Sequence, residues 1–142
     1  MTERDQLDRS RRRMLLGFLV GFGVWEGMSI ARALLGRASL PGVVRHGLFV
    51  VSLVGWAYWC VQLIHMVRWV RHVRRDPELA ASLNDERIEL ARLKSWRVGF
   101  FAVLAAQAIP LLAPIPAVVA GHLTILVGVT VAIPAYLAFE RG

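Results

Sequence analysis

The stretch MLLGFLVGFGVWEGMSIARALL, Met14 to Leu35, carries only Glu26 and Arg32 as ionisable side chains and follows directly on Arg11, Arg12 and Arg13. It exceeds the roughly 20 residues that a helix needs to cross about 30 Å of hydrocarbon, so it reads as a membrane span. Working outward, Val43 to Trp69 repeats the pattern, with Arg45, His46, His65 and Arg68 as its ionisable interruptions. Two further apolar runs follow, a shorter one from Val98 to Leu112 and a full-length one from Pro116 to Phe139. Ala113-Pro114-Ile115-Pro116 joins them as a tight hairpin, because proline disfavours helix at the residue before it and has no N–H to donate. No period-two alternation persists beyond a few residues, which argues against a barrel. The expected fold is all-α: an integral membrane four-helix bundle with spans at about 14–35, 43–69, 98–112 and 116–139. A cytoplasmic helical extension at about 70–97 separates the second span from the third.

Charge sets the orientation. The 142 residues form one domain, and their 56% hydrophobic content lies in blocks rather than in the dispersed pattern of a soluble core. All but three of the 17 Lys and Arg residues fall on one side of the weave, the exceptions being Arg32, Arg37 and Arg45. The positive-inside rule then places both termini and the long loop in the cytoplasm. The net charge of +7 does not predict nucleic-acid binding, because the cations flank spans, where each gains about 1 kcal/mol from anionic headgroups. Arg68, Arg71, Arg74 and Arg75 are the clearest headgroup contacts. Ser10-Arg11-Arg12-Arg13 imitates a twin-arginine export signal, but three more spans follow it, and the arginines read as an orienting anchor. The single cysteine, Cys60, permits no intramolecular disulfide and reads as an apolar filler.

Past Trp69 the arginines recur at helical spacing, so the second helix runs one or two turns beyond the bilayer before Asp76-Pro77 breaks it. Ser82 then offers an N-cap with Asp85 three residues later. Acidic Asp85, Glu86 and Glu89 precede basic Arg92, Lys94 and Arg97, an order that suits the helix dipole, and one helix is expected from about Leu83 into the third span. Leu79, Leu83, Leu90 and Leu93 form an apolar stripe along it that needs a cover: the end of the second helix, a second subunit or a cytoplasmic protein.

The run Leu83-Asn84-Asp85-Glu86-Arg87, followed by Trp96-Arg97-Val98-Gly99-Phe100 at the entry to a span, resembles a group of small four-span bacterial membrane proteins. Members of that group are often encoded beside small helix-turn-helix transcription regulators. The resemblance covers about Pro77 to Phe101. It implies a bacterial inner-membrane location and a cytoplasmic partner of that kind, docked through Leu79, Leu83, Asp85, Glu86, Arg87, Leu90 and Leu93.

Ionisable groups inside a span are costly, which singles out Glu26. By helical rise it lies about 13 Å below the outer end of its span and His122 about 9 Å below the outer end of the fourth; Arg32 and Gln107 come closer to the same surface. The four residues are expected to converge as a polar cluster. In one reading Glu26 is structural, bonded to His122 or Arg32; in the other it binds and releases protons in a small proton-coupled carrier. A carboxylate midway along the first of four short helices resembles the small multidrug-resistance transporters, from which this chain departs in its long charged loop and in the residues around that carboxylate.

Of the four histidines, only His46 and His122 share the depth a bundle haem requires, and no metal or cofactor is expected. Trp25, Trp56 and Trp59 lie deep enough to be packing residues, whereas Trp69 and Trp96 mark the inner boundary. Gly17, Gly21, Gly23 and Gly27 give two overlapping small-xxx-small spacings that admit a close helix from the same chain or from a homodimer partner. No Ser-His-Asp set, aqueous carboxylate pair or phosphate-cradling glycine loop is present, so an enzyme is not expected. The expected function is that of a regulatory or adaptor membrane protein, with the Glu26 carrier as the alternative and a haem- or quinone-binding bundle as a further one.

Overall fold

The computed structural model describes residues 3–35, 41–77, 86–113 and 115–141, and within them every regular element is helical. α1 spans Glu3–Leu35, α2 Gly42–Arg75, α3 Glu86–Gln107, α4 Ile109–Leu112 and α5 Ala117–Arg141. Three of these segments, Gln6–Leu35, Gly42–Val73 and Ala117–Glu140, are long and apolar enough to cross a membrane. The expected all-helical bundle is therefore present, assembled chiefly from these three and from α3.

The element boundaries follow local chemistry. Pro41, at φ −53° and ψ 140°, precedes α2, and its carbonyl accepts the N–H groups of Val44 and Arg45 at 3.0 and 3.2 Å. At the other end α2 continues six residues past Trp69 and stops at Asp76, whose backbone is extended (φ −113°, ψ 105°), as a residue before proline must be. Glu86 and Glu89 occupy the first turn of α3, where the helix dipole favours negative charge. Ser82 and Asp85, expected to cap this helix, lie outside the described residues.

The expected third span is not among the helices long and apolar enough to cross a membrane as single segments. Val98 to Leu112 measures only about 22 Å as continuous helix, short of a hydrocarbon core of about 30 Å. It is also divided: α3 ends at Gln107, Ala108 intervenes, and α4 carries Pro110 in its first turn. Charged residues fill the first half of α3, so its apolar part is the run from Val98 to Gln107. The turn into α5 is tight, as expected from its prolines: Ala113 is extended and accepts the N–H of Ile115 at 2.8 Å.

α1 packs along both α2 and α5, and α3 packs along α5; among the described residues α2 makes no extensive contact with α3 or α5. The order across the molecule is thus α2, α1, α5, α3, and the bundle is open rather than closed. Each outer pair is an antiparallel hairpin brought together by glycine. A Cβ added to Gly21 of α1 would stand 2.8 Å from Tyr58 Cδ1 and 2.9 Å from the Trp59 backbone N, closer than side chains approach. On the other pair, one added to Gly99 of α3 would meet Ala132 Cβ at 2.8 Å. Without a hydrophobic force between helices in lipid, such close backbone contact is what drives association.

Aromatic rings add to the α1–α2 contact: Trp25 stacks on Trp59 at 5.4 Å, and Phe18 and Phe22 pack against Trp59 at 5.8 and 6.2 Å. Each such pair contributes about 0.5–1.5 kcal/mol beyond its buried area. Trp56, expected to pack with them, instead turns outward and is 45% exposed, because on α2 it lies on the face away from α1.

Antiparallel packing throughout has one consequence for charge. The start of α1, the end of α2, the start of α3 and the end of α5 gather at one end of the molecule, carrying Arg11, Arg12, Arg68, Arg71, Arg75, Arg92, Lys94 and Arg97 with them.

Candidate functional site: a polar seam between two hairpins

The two hairpins meet along α1 and α5, and side chains with charge occur at two levels of that seam. In the half away from the basic end Glu26 Oε2 and His122 Nδ1 are 2.6 Å apart, the short separation expected between ionisable hydrogen-bond partners. Glu26 is 3% exposed; the His122 side chain is less enclosed. The hydrogen bond forms with either group as donor, a ring N–H donating to the carboxylate or a carboxylic acid donating to an unprotonated ring nitrogen. Each group gives the other the hydrogen-bond partner that burial in apolar surroundings demands.

At the other level, Arg11 and Arg12 both engage Glu140 in the last turn of α5, Arg12 Nε lying 3.3 Å from Glu140 Oε2. Arg11 also reaches Asp8 at 3.2 Å and lies 5.7 Å from the centre of the Tyr136 ring. The Arg11 and Glu140 side chains are largely buried. By helical rise the two levels are about 22 Å apart along α1 and about 27 Å along α5. The seam is thus fastened near both ends.

The expected four-residue cluster resolves into separate contacts. Glu26 and His122 do meet. Gln107 instead donates from Nε2 to Thr124 Oγ1 at 2.8 Å, joining α3 to α5, and Thr124 donates its own proton to the Ala120 carbonyl. Arg32 points toward α2, its guanidinium 5.2 Å from the centre of the Phe49 ring, and takes no part in the seam. Six residues separate it from Glu26, which turns it to a different face of α1.

His46 donates from Nδ1 to the Gly42 carbonyl, 2.7 Å away in the first turn of α2. It and His122 therefore have separate partners on helices that do not pack together, and the structure does not bring them to one site. Gly17 and Gly21 lie against Gln62, Tyr58 and Trp59 of the same chain, which commits that half of the glycine pattern to the internal hairpin. Gly23 and Gly27 face open space, with no atom within 4 Å of the point where a Cβ would stand.

At the charged end, Arg68, Arg71 and Arg75 are exposed along α2, as headgroup contacts require; the Arg74 side chain lies outside the described residues. Of the expected docking residues, Leu79, Leu83, Asp85 and the side chain of Arg87 also lie outside them. Glu86, Leu90 and Leu93 are exposed, while Ile88, Ala91 and Ser95 take the inner face of α3. The end of α2 does not cover Leu90 and Leu93.

Glu140 and Thr124 make contacts between helices that the sequence does not announce. Glu140 carries a usable signal: it is the one carboxylate after Glu89, it closes an apolar span, and it falls at the depth of Arg11 to Arg13. No protein-family model, curated protein sequence or solved structure matches the chain.

Proposed function

We propose that the chain is a bacterial inner-membrane adaptor that crosses the bilayer four times, holds both termini in the cytoplasm and docks a cytoplasmic protein through the start of α3. By the resemblance of its Leu83 to Arg87 run, that partner is a small transcription regulator. The observation that carries this reading is the outward turn of Leu90 and Leu93, 48% and 53% exposed at the charged end of the molecule. Apolar side chains standing together among charges mark a contact surface. Around them Glu86, Glu89, Arg92 and Lys94 are exposed and supply charges of both signs to orient a partner.

The mechanism is sequestration. α3 is one continuous helix from Glu86 to Gln107, and Gln107 bonds to Thr124, two residues from His122. A change at the polar seam therefore has a rigid element through which to reach the docking surface, releasing a partner held at the membrane. Affinity purification in mild detergent tests the proposal: a stoichiometric cytoplasmic protein is expected with the natural sequence and is lost with Leu90→Ser and Leu93→Ser. Recovery of the same partner with both substitutions in place removes the docking surface from consideration.

One observation favours the second reading, a proton-coupled carrier. The Glu26–His122 pair sits on the seam between two separately locked hairpins, where a relative movement would open it to either side. Proton-driven uptake in reconstituted vesicles that disappears with Glu26→Gln supports the carrier; uptake unaffected by that change excludes it.

A further inference from the structure

Between α1 and α3, with α5 as its floor, lies a groove of about 360 Å³ walled by Phe18, Trp96, Gly99, Val103, Val129 and Ile133. It exists because the bundle is open: α2 packs on α1 and leaves unfilled the position opposite α3 that a closed four-helix arrangement occupies. The volume falls in the range of about 300–1,000 Å³ found for small-molecule sites. Its lining is apolar. The Ser95 hydroxyl, the polar exception, is turned onto the Arg92 carbonyl at 2.8 Å, so the interior offers nothing to a polar ligand.

Depth and charge identify the occupant. Phe18 is about 10 Å along α1 from Arg11, and Ile133 about 10 Å along α5 from Glu140, which places the groove in the half of the membrane next to the basic end. Trp96, 71% exposed, stands at its mouth. Arg92 precedes Ser95 and Trp96 by three and four residues, so it shares their face one turn nearer the aqueous boundary, where it is exposed. Glu89, three residues before Arg92, lies about 4.5 Å further along the helix axis from the groove. We propose that the groove binds one acyl chain of an anionic phospholipid whose headgroup rests at Arg92. This site requires that the apolar parts of α1, α3 and α5 lie in a bilayer; it shares Arg92 with the docking surface but not Leu90 and Leu93, so lipid retention and partner capture fail separately.

The full chain, reconstituted in nanodiscs of equal phosphatidylglycerol and phosphatidylcholine and then returned to mild detergent, provides the test by native mass spectrometry. The expected result is retention of phosphatidylglycerol over phosphatidylcholine by about fivefold, the factor one headgroup cation supplies. Arg92→Gln, an exposed substitution, is expected to bring that ratio close to unity, and Val129→Trp to abolish retention of both lipids by filling the groove. Independently of any variant, phosphatidylglycerol with a photoreactive acyl chain is expected to label the segment from Gly99 to Val103 above the exposed face of α2 around Ala57 and Ile64. Equal labelling of the two faces, an undiminished preference in Arg92→Gln, or a disulfide-linked dimer formed readily by Trp96→Cys across the groove overturns the proposal.

Discussion

At the scale of single residues, the two charged contacts of the seam differ in what removal of a partner leaves behind. Glu140 serves two guanidiniums, and the Arg11 side chain is largely buried. Replacing Glu140 with Ala strands a cation in a poorly hydrated place, which costs about 3–5 kcal/mol where such pairs have been broken. Thermal unfolding in detergent, followed by circular dichroism, is expected to show Glu140→Ala as the more damaging change and Glu140→Asp as a partial rescue. A loss below about 1 kcal/mol would place the pair in water rather than in the protein. Glu26 and His122 are each other's hydrogen-bond partner, so Glu26→Gln and His122→Ala are each expected to cost about 1–3 kcal/mol, and the double variant less than their sum. Additive losses would mean that the two side chains do not interact.

Elements show where glycine decides the packing. Because a methyl at Gly21 would meet the Trp59 backbone at 2.9 Å, Gly21→Leu forces α1 and α2 apart and is expected to destabilise by about 1–3 kcal/mol or more. Gly23→Leu, on the open face, is expected to be tolerated; equal damage from both in a denaturation series would refute the assignment of faces. The sequence alone reveals that α1 carries a close-packing pattern but not which half of it is used, because small-xxx-small spacing looks the same whether its neighbour comes from the chain or from a copy. The same limit explains the other departures. Hydropathy and proline locate the ends of α2 and the turn before α5 correctly, since those signals are local. Arg32 joins the expected polar cluster by depth alone, and depth says nothing about the face on which a side chain emerges; its contact with Phe49 depends on where α2 packs. The pairing of Glu26 with His122 is legible because an isolated carboxylate in a span demands a partner and only a few depths supply one.

On the scale of the whole molecule, contacts divide the chain into two hairpins, α1 with α2 and α3 with α5, each locked by glycine and joined to the other along the α1–α5 seam. Within each hairpin the backbones approach closely; between them the described polar contacts are Glu26 with His122 and the two arginines with Glu140. An arrangement of this kind predicts that the hairpins form separately and associate afterwards, as helices that are individually stable in lipid do. Cutting the connection between α2 and α3, by expressing residues 1–77 and 78–142 as separate chains in one membrane, is therefore expected to yield two fragments that purify together. Glu140→Ala in the second fragment removes the anchor at the basic end and is expected to lower recovery of the first by tenfold or more, the factor equivalent to about 1.4 kcal/mol. Gly21→Leu lies inside the first hairpin and leaves the seam residues untouched, so it is expected to spoil that fragment's own packing without abolishing capture. Fragments that never associate, or an association indifferent to Glu140, would mean that the molecule folds as one continuous unit and that the polar seam is not what joins its halves.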